Sequence, residues 1–193
     1  MRSLSAGVVA VVVVVVVVLA ALGIYYYYSR AGGQVYIYLT DPGHGSSPGP
    51  SNSSAATIYV TVTSIMIHSE QGSWITVSNS TRTVQLTSAL SLLATKSLPP
   101  GNYTEVRLVV SAVTVEVGTT NFTATLPSGV LKIPIVQGGL QVSRGRTAYL
   151  VIYMGPHLTQ TGTGQYILRP VVTAVAYYSS PSANVTSATN TTT

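Results

Sequence analysis

Few side chains in this sequence could do chemistry. Its 193 residues hold three His, four acids (Asp41, Glu70, Glu105 and Glu116) and no Cys. His68 and Glu70 stand two apart, so on a strand running through both they would share a face. With Asp41 and His44 they make up a donor set of the kind that holds a divalent metal. The plainer reading, adopted here, assigns Asp41 to an Asx-type turn before Pro42 and leaves the histidines solvated. No metal and no cofactor is expected. A Ser-His-Asp hydrolase fares no better, because nothing in the sequence pairs a particular Ser with a base. There is no nucleophile elbow, zinc-protease helix, phosphate-cradling Gly loop or dinucleotide fingerprint. The chain is therefore expected not to be an enzyme, with an enzyme of unrecognised type as the remote alternative.

The aromatic residues offer a different kind of site. Tyr36 and Tyr38 lie on one face of the first expected strand, and Tyr149 and Tyr153 on one face of a later one. Either pair could stack against a sugar ring, but cross-strand packing is the expected role. Trp74 follows Gly72-Ser73 and is expected in the core beside a hairpin rather than as a ligand anchor. Glu105 and Arg107 are expected to pair with neighbours rather than to bind substrate.

Every Asn in the chain heads an Asn-x-Ser/Thr triplet: Asn52, Asn79, Asn102, Asn121, Asn184 and Asn190. A preference of Asn for turns accounts for the location of Asn79, Asn102 and Asn121 but not for the hydroxyl two residues later. The six are read as N-glycosylation sites, which places the domain outside the cell. Charged residues are only 7% of the chain and the formal net charge is +5. The basic residues are scattered singly apart from Arg144 and Arg146, so a nucleic-acid partner is not expected, and the cluster that marks lipid-surface binding is missing.

The uncharged run Ala6–Ile24, with eight consecutive Val, would form a helix about 28 Å long, close to the hydrocarbon thickness of a bilayer. Tyr25–Tyr28 and Arg30 then suit an interface. Residues 1–30 are read as an uncleaved single-pass anchor that meets the membrane through residues 6–28. A cleaved signal peptide, with a poor site at Ser29-Arg30-Ala31, and a soluble β-segment are the alternatives. Residues 31–34 form a linker, with Gly32-Gly33 expected as a flexible joint, and 179–193 a disordered Ser/Thr/Asn-rich tail. The remainder, about 145 residues, suffices for a core without staples.

Residues 35–178 read as an all-β, two-sheet antiparallel sandwich, prealbumin-like or Ig-like. Strands are expected at Val35–Thr40, Ile58–His68, Trp74–Val77, Thr104–Val117, Phe122–Leu126, Leu131–Val136, Ala148–Met154 and Tyr166–Tyr178. Leu86–Leu93 is expected to form a helical turn or two. Within Val106–Val117 the apolar phase switches from even to odd positions, which predicts a bulge near Ser111-Ala112 or a strand crossing between sheets. Pro170 predicts an edge or bulge in the last strand. In Ala148–Met154 and Val171–Tyr178 both phases are apolar or aromatic, as in strands covered on both faces or lying at an interface.

The opening Val35-Tyr36-Ile37-Tyr38-Leu39-Thr40-Asp41-Pro42, with Ile58–His68 and Trp74–Val77, resembles a bacterial and archaeal cell-surface family catalogued as domain of unknown function 4382. Leu98–Leu108 and Tyr166–Val172 fit the same pattern. The resemblance implies an extracellular prealbumin-like sandwich on a membrane anchor and implies no activity. Together with the sequons it implies an archaeal source. Where members often carry several acids after Leu-Thr-Asp, this chain has Pro42-Gly43-His44-Gly45-Ser46-Ser47-Pro48, so no cation role carries over. The expected function is a non-catalytic domain on the cell membrane that binds or scaffolds envelope proteins or glycans. The alternative is a homo-oligomeric extracellular filament in which Gln34–Thr40 completes a neighbour's sheet.

Overall fold

Runs of β-branched and aromatic residues set most of the long strands of this chain. The structure, a computed structural model, describes residues 6–30, 32–41, 43 and 56–181, with the backbone alone at 6, 8–10 and 26–30. Helix α1 (Ala6–Arg30) comes first. Strands β1 (Gly33–Thr40), β2 (Ala56–Ser69), β3 (Trp74–Ser78), β4 (Arg82–Gln85), β5 (Ser91–Leu98) and β6 (Gly101–Val117) follow. After them come β7 (Thr120–Thr125), β8 (Val130–Pro134), β9 (Leu140–Val142), β10 (Thr147–Gly155), β11 (Leu158–Gln160), β12 (Tyr166–Leu168) and β13 (Val171–Tyr177).

The strands form two mixed sheets around one core. The smaller runs β13-β10-β1-β5 and the larger β11-β12-β7-β6-β2-β3, with β4 on β2 and with β8 and β9 on β6. Val35, Ile37 and Leu39 of β1 and Leu150, Ile152 and Met154 of β10 meet Val106, Leu108 and Ile133 of the larger sheet in a single apolar cluster. Tyr103 is buried there as well, its hydroxyl donating to the Pro99 carbonyl at 2.8 Å. Removal from water pushes the Tyr103 hydroxyl above its ordinary range.

The sheets are not antiparallel throughout. β1 runs parallel to β10, and β12 parallel to β7. A parallel pair needs a long crossover rather than a hairpin, and nearly the whole larger sheet intervenes between β1 and β10. The expected bulge is present: Thr61 pairs with Ala112 and Val62 with Val110, which leaves Ser111 unpaired and turns the apolar phase over. The last expected strand is two strands. Leu168 closes β12 in the larger sheet, Arg169-Pro170 crosses, and Val171 opens β13 in the smaller one. Pro170 has no N–H to give a ladder, so the crossing falls where none is required.

Leu86–Leu93 is not helical. Leu86 and Leu93 are both buried, and β5 starts at Ser91 as an edge strand on β1. The carbonyls of Thr87 and Ser88 accept the Thr40 hydroxyl at 3.2 and 3.1 Å, which holds the segment open. The expected flexible joint is also absent. A Cβ on Gly33 would lie 2.5 Å from the Ser143 carbonyl oxygen and 2.7 Å from Val142 Cγ1, and one on Gly32 would lie 2.5 Å from the Leu98 carbonyl oxygen. The Gly145 amide donates to the Gly32 carbonyl at 3.1 Å. These glycines are there for close approach, not for mobility.

Among the described residues no helix is long and apolar enough to cross a membrane. The described side chains of α1 beyond residue 7 run only from Val11 to Tyr25, and all are exposed. The tail beyond Pro181 lies outside the described residues.

Gly33→Ala is expected to cost about 1–3 kcal/mol by overpacking, read as a lower urea midpoint of the detergent-solubilised chain. Gly162→Ala, where an added Cβ meets nothing, serves as the control and should change it by a few tenths at most.

Candidate functional site

The groups considered for metal binding are held apart. Asp41 follows the far end of β1 and accepts the Gly43 amide at 2.9 Å, the Asx-type turn expected for it. β2 ends at Ser69, so Glu70 falls in the β2–β3 turn, where its amide donates to the Asn102 carbonyl. His68 and Glu70 therefore share no strand face. His44 lies outside the described residues. Among the described residues no three His, Asp or Glu side chains come together.

His68 belongs instead to a cluster on the outer face of the larger sheet. The register sets His68 between Trp74 of β3 and Glu105 of β6. The His68 and Trp74 rings are 4.7 Å apart, and the Arg107 guanidinium lies 3.8 Å from the Trp74 ring centroid. Arg107 Nε also donates to Glu105 Oε1 at 3.1 Å. Trp74 is thus not a core residue. β3 turns Val77 inward with Ile75 packed on the core, and Trp74 sits on the opposite face. Glu105 and Arg107 pair with each other, and with the guanidinium already engaged, the cluster reads as surface packing with little free binding capacity.

The outer face of the smaller sheet has a different chemistry. In register, Tyr36 of β1 stands beside Tyr149 of β10, and Tyr149 beside Tyr177 of β13. Tyr38 flanks Val151 on one side and Val175 flanks it on the other. The Tyr36 and Tyr149 rings are stacked at 5.5 Å with 23° between their planes. The Tyr153 and Tyr177 hydroxyls meet at 2.8 Å, and Val151 and Val175 lie between these tyrosines along their strands. That cover leaves Val151 fully buried although it faces away from the core cluster. Burial raises the Tyr153 hydroxyl well above its ordinary 10.0, and the bond to Tyr177 raises it further.

No outward position of these four strands is charged. Lys96 of β5 pairs with Val35 and so takes the core-side face at the sheet's margin, and Arg82 reaches the margin only to donate to the Leu92 carbonyl. Tyr36, Tyr38 and Tyr149 are half-buried, and no hydrogen-bond partner meets their hydroxyls among the described residues. The face therefore presents flat apolar rings edged by unused hydroxyls. The sequence set out both tyrosine pairs but did not join them. Tyr177 was visible only as part of a strand apolar on both faces.

The pattern of the family described as domain of unknown function (DUF4382) matches residues 32–170. The chain belongs to this family. No curated protein and no solved structure matches it. The DUF4382 match takes in β1 through β12, hence Tyr36, Tyr38, Tyr149 and Tyr153, and stops at Pro170. Helix α1 and strand β13 with Tyr177 lie outside it.

Among the described residues the sequons all belong to the larger sheet or its turns. Asn79 is exposed after β3, its Oδ1 accepting the Ser64 hydroxyl at 2.9 Å. Asn121 is exposed at the start of β7. Asn102 is held under the Gln137-Gly138-Gly139 turn, whose three residues all have positive φ. Its Nδ2 donates to the Gly138 carbonyl at 3.3 Å, and its Oδ1 is buried without a partner. Asn52, Asn184 and Asn190 lie outside the described residues.

Tyr153→Phe is expected to lower stability by about 0.5–1.5 kcal/mol at neutral pH, the net worth of one hydrogen bond. Because the fold raises the Tyr153 hydroxyl, the stability it lends is fully present below pH 10.0 and lost as pH rises above it. Melting temperatures taken upward from that pH should fall more steeply for the unaltered chain than for Tyr153→Phe.

Proposed function

We propose that this chain is a non-catalytic, membrane-anchored extracellular domain whose tyrosine face holds neutral glycan chains of the cell envelope. The observation that carries this reading is the uncharged outer face of the smaller sheet. Stacked rings suit the apolar faces of sugar rings, and the hydroxyls of Tyr36, Tyr38 and Tyr149, unbonded among the described residues, suit their hydroxyls. The absence of charge on the face gives an acidic polymer nothing to pair with.

The anchor is supported by the uncharged run Ala6–Ile24 within a helical backbone that extends from Ala6 to Arg30. Nineteen apolar residues approach the length a span needs. The valines of α1, Val11 to Val18, are exposed, and none of the described residues covers them. An outside location is supported by the sequons, with Asn79 and Asn121 open to modification. Asn102 differs, since a sugar on its Nδ2 would have to displace the Gly138 turn. Glycopeptide mass spectrometry of the chain from its native membrane is expected to find Asn79 and Asn121 occupied and Asn102 bare.

Affinity electrophoresis through gels carrying neutral or acidic polysaccharides tests the binding face. The detergent-solubilised chain should be retarded by a neutral polymer. Tyr149→Ala should weaken that retardation by roughly three- to tenfold, the loss of one aromatic stacking contact. Retardation by acidic polymers alone, or none at all, would reject the glycan reading, and turnover of any defined polysaccharide would reject the non-catalytic one.

A second reading, a filament built by strand exchange, draws on the place of β1. This first strand lies between β10 and β5, with Val35, Ile37 and Leu39 buried. A β1 from a second copy entering the same slot would make the same ladder bonds. Light scattering that finds a monomer at every concentration would set this reading aside.

A further inference from the structure

We infer that the turn Ser143–Arg146 docks on the phosphate-bearing headgroups of anionic lipids, with Arg144 and Arg146 as its contacts, and so fixes the tilt of the domain on the membrane. The inference rests on the anchor reading of α1. α1 ends at Arg30 and β1 begins at Gly33, so the two intervening residues can span no more than about 7–11 Å. From Gly32 onward the chain is bonded to the turn. Gly32 accepts the Gly145 amide at 3.1 Å, the Gln34 amide donates to the Arg146 carbonyl at 2.9 Å, and Gly33 is packed against Ser143. The turn is therefore bonded to the very residues that leave the helix, and whichever surface the helix emerges from is the surface the turn meets.

The chemistry of this end fits a headgroup layer. Arg144 and Arg146 are exposed, and neither has an acid partner among the described residues. Guanidinium groups bind phosphate through paired N–H donors. Tyr178 is 59% exposed beside the turn, its hydroxyl accepting the Gln141 amide at 3.0 Å, and an amphipathic ring at headgroup depth is a recurring interface feature. Glu70, in the β2–β3 turn next to Asn102, is the one acid of the turns at this end. Two basic residues would not bring a free protein to a membrane. A tethered domain is already there, and two of them shift the ratio of docked to lifted orientations roughly thirtyfold.

The chain lacks Cys, so one introduced thiol can report the geometry. Ser143→Cys in the full chain, carrying a fluorophore, is placed in nanodiscs of phosphatidylcholine with or without phosphatidylglycerol, each doped with a headgroup nitroxide quencher. Ser88→Cys, by the Asp41 end of β1, serves as the distant control. Quenching at position 143 is expected to rise with phosphatidylglycerol, to fall back in high salt, and to be lost in Arg144→Gln/Arg146→Gln, while position 88 stays unquenched. Equal quenching at position 143 in both lipids, or quenching that survives the double substitution, overturns the inference. Failure of the chain to enter nanodiscs at all overturns the anchor reading itself, which is a separate and recognisable outcome.

Discussion

The antiparallel pairing of β2 with β6 is the constraint on which the larger sheet depends. β6 pairs along all of β2, from Ala56↔Val117 to Ser69↔Tyr103. A ribbon of two strands is marginal alone, and here each flank is completed piecewise. β4 and β3 take successive stretches of β2, while β9, β8 and β7 take successive stretches of β6. A long flat ribbon could not wrap a core. The unpaired Ser111 on one strand and Thr63 on the other bend it, and beyond Ser111 the flank of β6 passes from β8 to β7, which carries β12.

The two outer faces divide the chain's few charges unevenly. Glu105, Arg107 and Lys132 all sit on the outside of the larger sheet, which also bears the described sequons. The smaller sheet keeps hydroxyls and rings on its outside and turns its one charge, Lys96, to the core side of a margin strand. An inward-directed charge at a margin discourages pairing with another sheet. Among the described residues the division leaves the tyrosine face bare of both charge and sequons.

Much of this was legible in the sequence, and the failures have physical reasons. Where one face of a strand is buried, alternation located it, as in β1 and β2. The phase change in Val106–Val117 marked the place of the irregularity, and the pairing of β6 with β2 decides for a bulge over a crossing between sheets. Strands such as β4, β9 and β11 run only three or four residues, too few to establish a period. β5 was misread because its bulge opposite Ile37/Tyr38 brings Leu93 inward out of phase and leaves a helix-like spacing. Glycine was ambiguous for a related reason: a missing Cβ serves mobility and close packing equally, and only the neighbours of Gly32 and Gly33 decide between them. The tyrosine face was half legible, since periodicity gives the face of each strand but not which strands lie side by side, and the parallel β1–β10 pair is a long-range pairing that no local pattern encodes.

The direction of β13 has a mechanical consequence. β13 runs against β10 and β1 runs with it, so Gln34 lies opposite Thr147 and Tyr177 opposite Tyr149. The sandwich therefore takes in its chain and lets it out at one pole. A load applied across those two ends would not shear the ladders, where many hydrogen bonds resist together. It would unzip them, peeling β13 from β10 one bond at a time beginning at Tyr177, and the Tyr153–Tyr177 bond and the cover over Val151 would be among the first features to go.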